Sequence, residues 1–428
     1  MRVNVYLIVP LLLLMVSFSG CIQKESGAHT VSERSAGYAN SERSSFGELD
    51  SEVKIGVIQS LTGDLGEYGG VPMTDAIKLA AKEVNTNGGV LNKQIKLLIE
   101  DDQTLSVAAV DAANKLVKKD NVPVIIGATG SGQSIAIIDI TTKNGVLQIS
   151  SSNTGVEFTT YNDSDLYFRT ALSDSLQGVA MAKLAAQNGY KTASTLVINN
   201  PYGRGFEEVF VKAFEAEGGR VLESVRYDPT QTIFESEVDE VSNVKPDFVM
   251  LVSYPETSSQ ILRTAYQKSY LKDTHWLMSE GIMVEGLVDM VGKDPSGKFI
   301  LAGFQGVAPE QRTDSAAYLA FRDKFVKEYG KDPTIYCSNS YDAMAVIALA
   351  MEEAEGTKGT AIRDHLRSVA NPPGIEVSDI GIALKLIREG NKINYQGSSG
   401  NITFDDNGDV NGTYSVWYVA DNGIILER

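Results

Sequence analysis

Several short polar clusters in this chain have the residue types needed to grip a small charged molecule. Gly127-Ala128-Thr129-Gly130-Ser131-Gly132-Gln133-Ser134 follows an apolar run at 122–126 and opens a helical pattern. Amides and hydroxyls at such a strand-to-helix turn point at a negative group, and the helix dipole adds a favourable field. The glycine order does not fit the dinucleotide fingerprint, and no Lys follows as a phosphate loop requires. An anion cradle and a plain turn in which Ser131 caps the helix both account for it. Ser150-Ser151-Ser152-Asn153-Thr154 ends the next apolar run. Its Ser152, Asn153 and Thr154 offer donors to the same negative group or bond among themselves within a loop. Ser279-Glu280-Gly281 sets a carboxylate after another strand. Glu280 is either solvated or an acceptor for an ammonium, whose charge offsets the cost of burying it. Tyr68, Tyr202 and Tyr254 also follow strands, as cleft walls or as packing.

Catalytic chemistry is poorly supplied. A hydrolase needs a nucleophile activated by a base, and beyond residue 51 the only histidines are His275 and His365, neither in a recognisable triad pattern. Ser242-x-x-Lys245 and Ser269-x-x-Lys272 match one catalytic spacing, as chance allows. With Cys337 and two histidines in the body, no closed zinc set can be assembled from spacing, so neither metal nor cofactor is expected and the chain does not read as an enzyme. The 55 acidic against 38 basic residues give a formal charge of -17, which argues against nucleic acid, since phosphate binding needs a basic surface.

The elements that must position these clusters alternate. Strands are expected at 53–60, 94–100, 122–127 and 146–150, with helices at 72–85, 106–119 and 131–143 between them. The alternation resumes with strands at 193–198, 220–227, 248–252 and 275–278 and helices at 205–217, 234–244 and 255–269. Strands flanked by helices imply an α/β fold with parallel sheets covered on both faces. A break near 169–172 divides the chain into two doubly wound lobes. Adjacent strand ends of an open sheet face one crevice, where ligands of this architecture bind.

The final third is less regular, with a strand at 299–304, helices at 314–329, 341–355 and 361–370, and a hairpin of 402–404 with 414–419. Residues 52–170 and 303–397 are therefore assigned to one lobe, and 171–302 and 398–428 to the other. Several crossovers between them make a hinge beside a cleft.

The N-terminus sets the location. Residues 1–21 carry Arg2, a short apolar run at 7–18 and Phe18-Ser19-Gly20-Cys21, which reads as a lipoprotein signal peptide with Cys21 as the lipidated residue; a plain membrane anchor is the alternative. The run is shorter than the roughly 20 apolar residues of a spanning helix. Residues 22–51 are polar and read as a tether. The body is then held outside the cytoplasmic membrane, on its outer face. With Cys21 lipidated, Cys337 has no intramolecular partner. Sequons at Asn162, Asn401 and Asn411 permit glycosylation in a suitable host, and chance explains them equally well.

From about residue 52 onward the chain resembles the type I periplasmic solute-binding proteins of ABC importers, in the leucine/isoleucine/valine-binding group. The resemblance rests on Leu61-Thr62-Gly63 with Tyr68-Gly69, Asn87-Gly88-Gly89-Val90, Gln260-Ile261-Leu262-Arg263, Ser279-Glu280-Gly281 and Gly400-Asn401-Ile402-Thr403-Phe404-Asp405. It implies a bound amino acid whose carboxylate is held at Ser131, Ser152, Asn153 and Thr154, whose ammonium meets Glu280, and whose side chain meets Tyr68, Tyr202 and Tyr254. It also implies a monomer that partners ABC permease subunits. Where the family has Pro-Ala-Ala-Thr this chain has Ser151-Ser152-Asn153-Thr154, so the Asn153 side chain is expected to intrude. Thr104 and Gly130 stand where the family has a disulfide. Related binders take amides, urea or aromatic acids, and a sensor that signals to a membrane partner is the other non-enzymatic reading. The clamp that combines these features has neutral donors on one lobe and an acid on the other.

Overall fold

The computed structural model describes residues 52–427; Cys21 and the tether lie outside them. The first lobe is built from β1 (Glu52–Gln59), α1 (Val71–Thr86), β2 (Gln94–Asp101), α2 (Ser106–Asn114), β3 (Val124–Gly127), α3 (Ser131–Thr142), β4 (Leu147–Ser150) and β5 (Tyr167–Arg169). Its sheet runs β2-β1-β3-β4-β5, all parallel. β3 and β4 are buried along their whole length, as central parallel strands covered on both faces must be. Alternate side chains divide between two cores: Ile55, Val57, Val124 and Ile126 face one, and Ile58 and Ile125 face the other. β5 has only three residues, too few for a periodic signal, and the sequence pattern treats Arg169 as a boundary instead.

The second lobe follows with α4 (Asp174–Gln187), β6 (Thr192–Ile198), α5 (Pro201–Ala216), β7 (Arg220–Tyr227), α6 (Glu235–Asn243), β8 (Phe248–Val252), α7 (Pro255–Gln267), β9 (His275–Met278), α8 (Gly286–Val291) and β10 (Gln305–Pro309). The chain then returns to the first lobe for α9 (Ala316–Tyr329), α10 (Cys337–Glu353), α11 (Gly359–Ala370), β11 (Ile375–Val377), α12 (Ile380–Arg388), β12 (Ile393–Gly397) and β13 (Gly400–Asn401). Residues of these four helices and of β12 share a core with α1. α10 is buried around almost its whole circumference, as a helix apolar on every side must be. Finally β14 (Tyr414–Val419) and β15 (Ile425–Glu427) complete the second sheet, whose order is β15-β14-β10-β9-β8-β6-β7.

Four expectations for the last third change. The strand expected at 299–304 forms instead at β10, because Gly303 turns the backbone at φ +88. β10 pairs with β9 and β14, so the chain stays in the second lobe to Pro309 and does not leave near 302. The expected 402–404 with 414–419 hairpin is absent: Phe404 bridges Val410, and β14 lies antiparallel to β10. Ile402, Phe404 and Val410 pack in the first-lobe core, so the last crossing lies between Val410 and Tyr414, beyond 395–400.

The turn before that crossing braces the sheet. Asp409 accepts from Arg169 Nε at 2.6 Å and Nη2 at 2.8 Å, and Arg169 has 0% side-chain exposure. The same guanidinium donates from Nη1 to the carbonyls of Asn153 and Gly155, fixing the loop after β4. Asp409→Ala leaves a buried cation unpaired, so it is expected to destabilise the fold by roughly 3–5 kcal/mol; urea unfolding followed by circular dichroism checks this.

Candidate functional site

The carboxyl ends of β1, β3 and β4 in one lobe and of β6, β8 and β9 in the other meet at a shared cavity, the usual place for a small-molecule site in this architecture. In each lobe the strand that comes first in the chain sits between the next two, in the orders β2-β1-β3 and β7-β6-β8. Loops therefore diverge there and leave a crevice. Seven of the eight residues expected at the site line this cavity: Tyr68, Ser131, Ser152, Thr154, Tyr202, Tyr254 and Glu280.

Asn153 does not. Its Nδ2 donates to the carbonyls of Ala128 and Thr129, and its Oδ1 accepts from Tyr167 OH. The residue is fully buried behind the cavity wall. The expectation that its side chain intrudes is therefore corrected: a buried amide must satisfy its own groups, and those partners lie under the loop.

The α3 turn is not a capped turn. Gly130 is the N-cap residue, with no side-chain cap, and Ser131 Oγ accepts from Gly155 N at 3.3 Å, leaving its O–H able to donate. The first amides of a helix have no intrahelical acceptor, and here they open beside Gly130 and Ser131 on the cavity wall. The two neighbouring hydroxyls are already engaged. Ser152 Oγ donates to Thr129 O at 2.7 Å, and Thr154 Oγ1 to Asp174 Oδ2 at 2.8 Å. Near Thr104 and Gly130, where the resemblance puts a disulfide in the family and none is expected here, Gln133 in the first turn of α3 donates to Thr104 O at 2.6 Å.

Opposite stands Glu280, at 3% exposure. Its Oε2 accepts from Gln177 Nε2 at 2.6 Å and Tyr202 OH at 2.9 Å, and burial raises its pKa to about 7. Asp174, fully buried on α4, is raised well above the ordinary carboxylate range by burial and then by the Glu280 charge. Its Oδ1 has no partner among the described residues, and neither has the Tyr336 OH on the cavity wall. This face is thus acidic and short of cations, while the α3 face is neutral and rich in donors.

Sequence reasoning missed Asp174, Gln177 and Tyr336. Asp174 and Gln177 sit on a helix whose start coincides with the lobe boundary, and Tyr336 precedes α10 with a left-handed backbone at φ +67. The single available signal is Ser173-Asp174, a capping residue followed by an acid, and Ser173 does cap α4. The remaining wall is apolar, with Leu65, Met73, Val284 and Ile335, and the Tyr202 and Tyr254 rings stack at 5.8 Å.

Closure of the walls depends on a small residue. A Cβ on Gly286 of α8 falls 2.4 to 2.5 Å from the phenol end of Tyr68, so a larger residue there makes that ring swing aside or the lobes part. Gly286→Ala is expected to hold the cleft ajar and weaken capture about tenfold, the order of an overpacked contact, with little change in thermal unfolding of the empty protein; calorimetric titration beside a melting curve separates the two.

Comparison with known proteins gives the family. A model of the family described as periplasmic binding protein matches residues 52–394. The chain is 26% identical over 347 residues to the leucine-, isoleucine-, valine-, threonine-, and alanine-binding protein of Pseudomonas aeruginosa, covering 80% of this chain and 90% of that one. It is 26% identical over 371 residues to the chemotactic signal transduction system substrate-binding protein BasB of Halobacterium salinarum, covering 82% and 83%. In structure it is similar to the leucine binding protein LivK of Thermotoga maritima, with a TM-score of 0.75 at 24% identity over 88% and 97% of the two chains.

Proposed function

The chain belongs to the periplasmic binding protein family, whose members here are solute binders rather than enzymes, and we propose that it captures a hydrophobic amino acid between its lobes and delivers it to an ABC importer. One observation carries this reading: a buried Glu280, steadied by Gln177 and Tyr202, shares a cavity with the uncapped start of α3. The α3 amides and the Ser131 hydroxyl receive the carboxylate of a zwitterion, helped by the helix dipole. Glu280 receives its ammonium. Tyr68, Tyr202, Tyr254 and the aliphatic wall take the side chain, and the leucine, isoleucine and valine in the name of the Pseudomonas relative, beside threonine and alanine, support that choice. A ligand that touches both lobes favours the closed state, because both contacts exist only there. A lipid on Cys21 keeps the monomer beside its permease, so that the closed form meets the transporter without free diffusion.

Titration calorimetry with leucine tests the reading. Glu280→Ala is expected to weaken binding at least about tenfold, near 1.4 kcal/mol, with the fold unchanged. A thermal-shift screen of amino acids, small amides and benzoate accompanies it, since a ligand that binds only the native state raises the melting point. Stabilisation by a neutral amide or by benzoate, with none by any zwitterion, overturns the clamp.

The pH dependence has a definite sign. In the empty site burial holds Glu280 at about 7, whereas an adjacent ammonium favours its ionised form. Capture therefore releases a proton when the pH lies below that value. Affinity is expected to be full above about pH 7 and to fall by up to about tenfold per pH unit below it, and Glu280→Gln is expected to remove that slope in titrations from pH 5 to 8.

A further inference from the structure

The start of α7 is capped from the opposite lobe. Its N-cap residue, Tyr254, has an extended backbone and no side-chain cap, and Pro255 follows at the first helical position. The next two amides, of Glu256 and Thr257, are left without acceptors in their own lobe. Both are met by Asp64, in the loop between β1 and α1. Its Oδ1 accepts from Glu256 N at 2.6 Å, its Oδ2 accepts from Thr257 N at 3.3 Å, and the Thr257 hydroxyl donates to the same Oδ2. An acidic side chain is also the charge that a helix N-terminus favours. Asp64 is separated from its own helix by the turn at 66–70, so its carboxylate serves the other lobe and not α1.

Asp64 does not line the cavity, but its flanks do. Leu65 on one side, and Tyr254 and Pro255 on the other, are wall residues. The cap therefore sits immediately outside the place of the ligand and bridges the two lobes that the ligand bridges. These contacts exist only while the two lobes stand this near each other.

We propose that Asp64 is a latch: a carboxylate of one lobe that caps a helix of the other in the closed form alone, and so sets the closed-to-open ratio without touching the solute. It rests on the capture reading for its consequence, because affinity scales with the fraction of protein in the competent form. Replacing an N-cap acid by Ala typically costs about fivefold in an equilibrium constant. Asp64→Ala is then expected to lower the closed-to-open ratio about fivefold. Leucine affinity falls by the same factor if the empty protein is mostly open, and the closed fraction falls visibly if it is mostly closed.

The test uses the full chain with leucine as probe. Titration calorimetry and leucine dissociation rates are measured for wild type, Asp64→Ala, Thr257→Val and the double variant. In parallel, a nitroxide on one lobe is read by relaxation of methyl groups on the other in the empty protein, which registers sparse closed states. The latch predicts faster dissociation or a smaller closed population in each single variant, and a double variant no worse than Asp64→Ala, since both changes break one contact. Asp64→Asn, which keeps an acceptor oxygen, is expected to recover most of the loss. A wild type that does not bind leucine removes the amino-acid assignment and leaves the relaxation arm to decide the latch. Dissociation and inter-lobe relaxation that both match wild type in Asp64→Ala, or additive losses in the double variant, overturn it.

Discussion

A carboxylate taken out of water has to be compensated, and the placement of Glu280 is the constraint around which this protein is arranged. At 3% exposure it keeps two neutral donors, Gln177 Nε2 and Tyr202 OH, and no cation among the described residues. Neutral hydrogen bonds soften the desolvation of a carboxylate without cancelling it, which is why its proton affinity rises. Asp174 adds to the cost, since two nearby acids resist ionising together. A positively charged group entering the cavity relieves both. The same strain that makes the empty site costly makes the occupied one selective.

The donors that hold Glu280 tie it to the rest of its lobe. Gln177 Nε2 also donates to Val307 O at 2.9 Å, so one amide links α4, the end of β9 and the β10 strand. Thr154 is joined to Asp174 twice, through its hydroxyl and through its carbonyl, which accepts from Asp174 N at 2.7 Å. A strand end of the first lobe is thus bonded directly to the first helix of the second. Arg169 and Asp409 lie just behind, holding the carbonyls of Asn153 and Gly155. These hydrogen bonds tie the two lobes where the chain crosses between them, and the proposed capture has the lobes rotate about that region. Rigid elements hinged at a few crossover segments behave in this way.

Much of this was legible in the chain. Most of the alternating strands and helices of residues 52–278 follow from apolar runs and glycine stops, and the structure departs from them at element ends and by adding β5 and α4, which the pattern did not show. Tyr202, Tyr254 and Glu280 were visible because each directly follows a buried strand, and in an α/β sheet that position is a cleft position. The last third was harder to read. β10 differs from its expected position by a few residues because Gly303 breaks an otherwise suitable run, and β14 pairs not with 402–404 but with β15 just after it and with β10, about a hundred residues upstream, the latter a pairing that local pattern does not encode.

What the sequence determined by itself was local: which runs are strands, where they stop, and which polar residues stand at their ends, since periodicity and turn chemistry act over a few neighbours. Tertiary structure decided which of those ends face one another and which side chains turn away. Asn153 shows the difference, a polar residue in the expected loop whose amide turns inward because Ala128, Thr129 and Tyr167 offer it better partners than the cavity does. Asp174, Gln177 and Asp64 show the converse. Each is an ordinary polar residue in sequence and acquires its role through a contact with residues 20, 103 and 192 positions away. A side chain's hydrogen-bonding partners are set by the packing of whole elements, and that packing exists only once both lobes have formed.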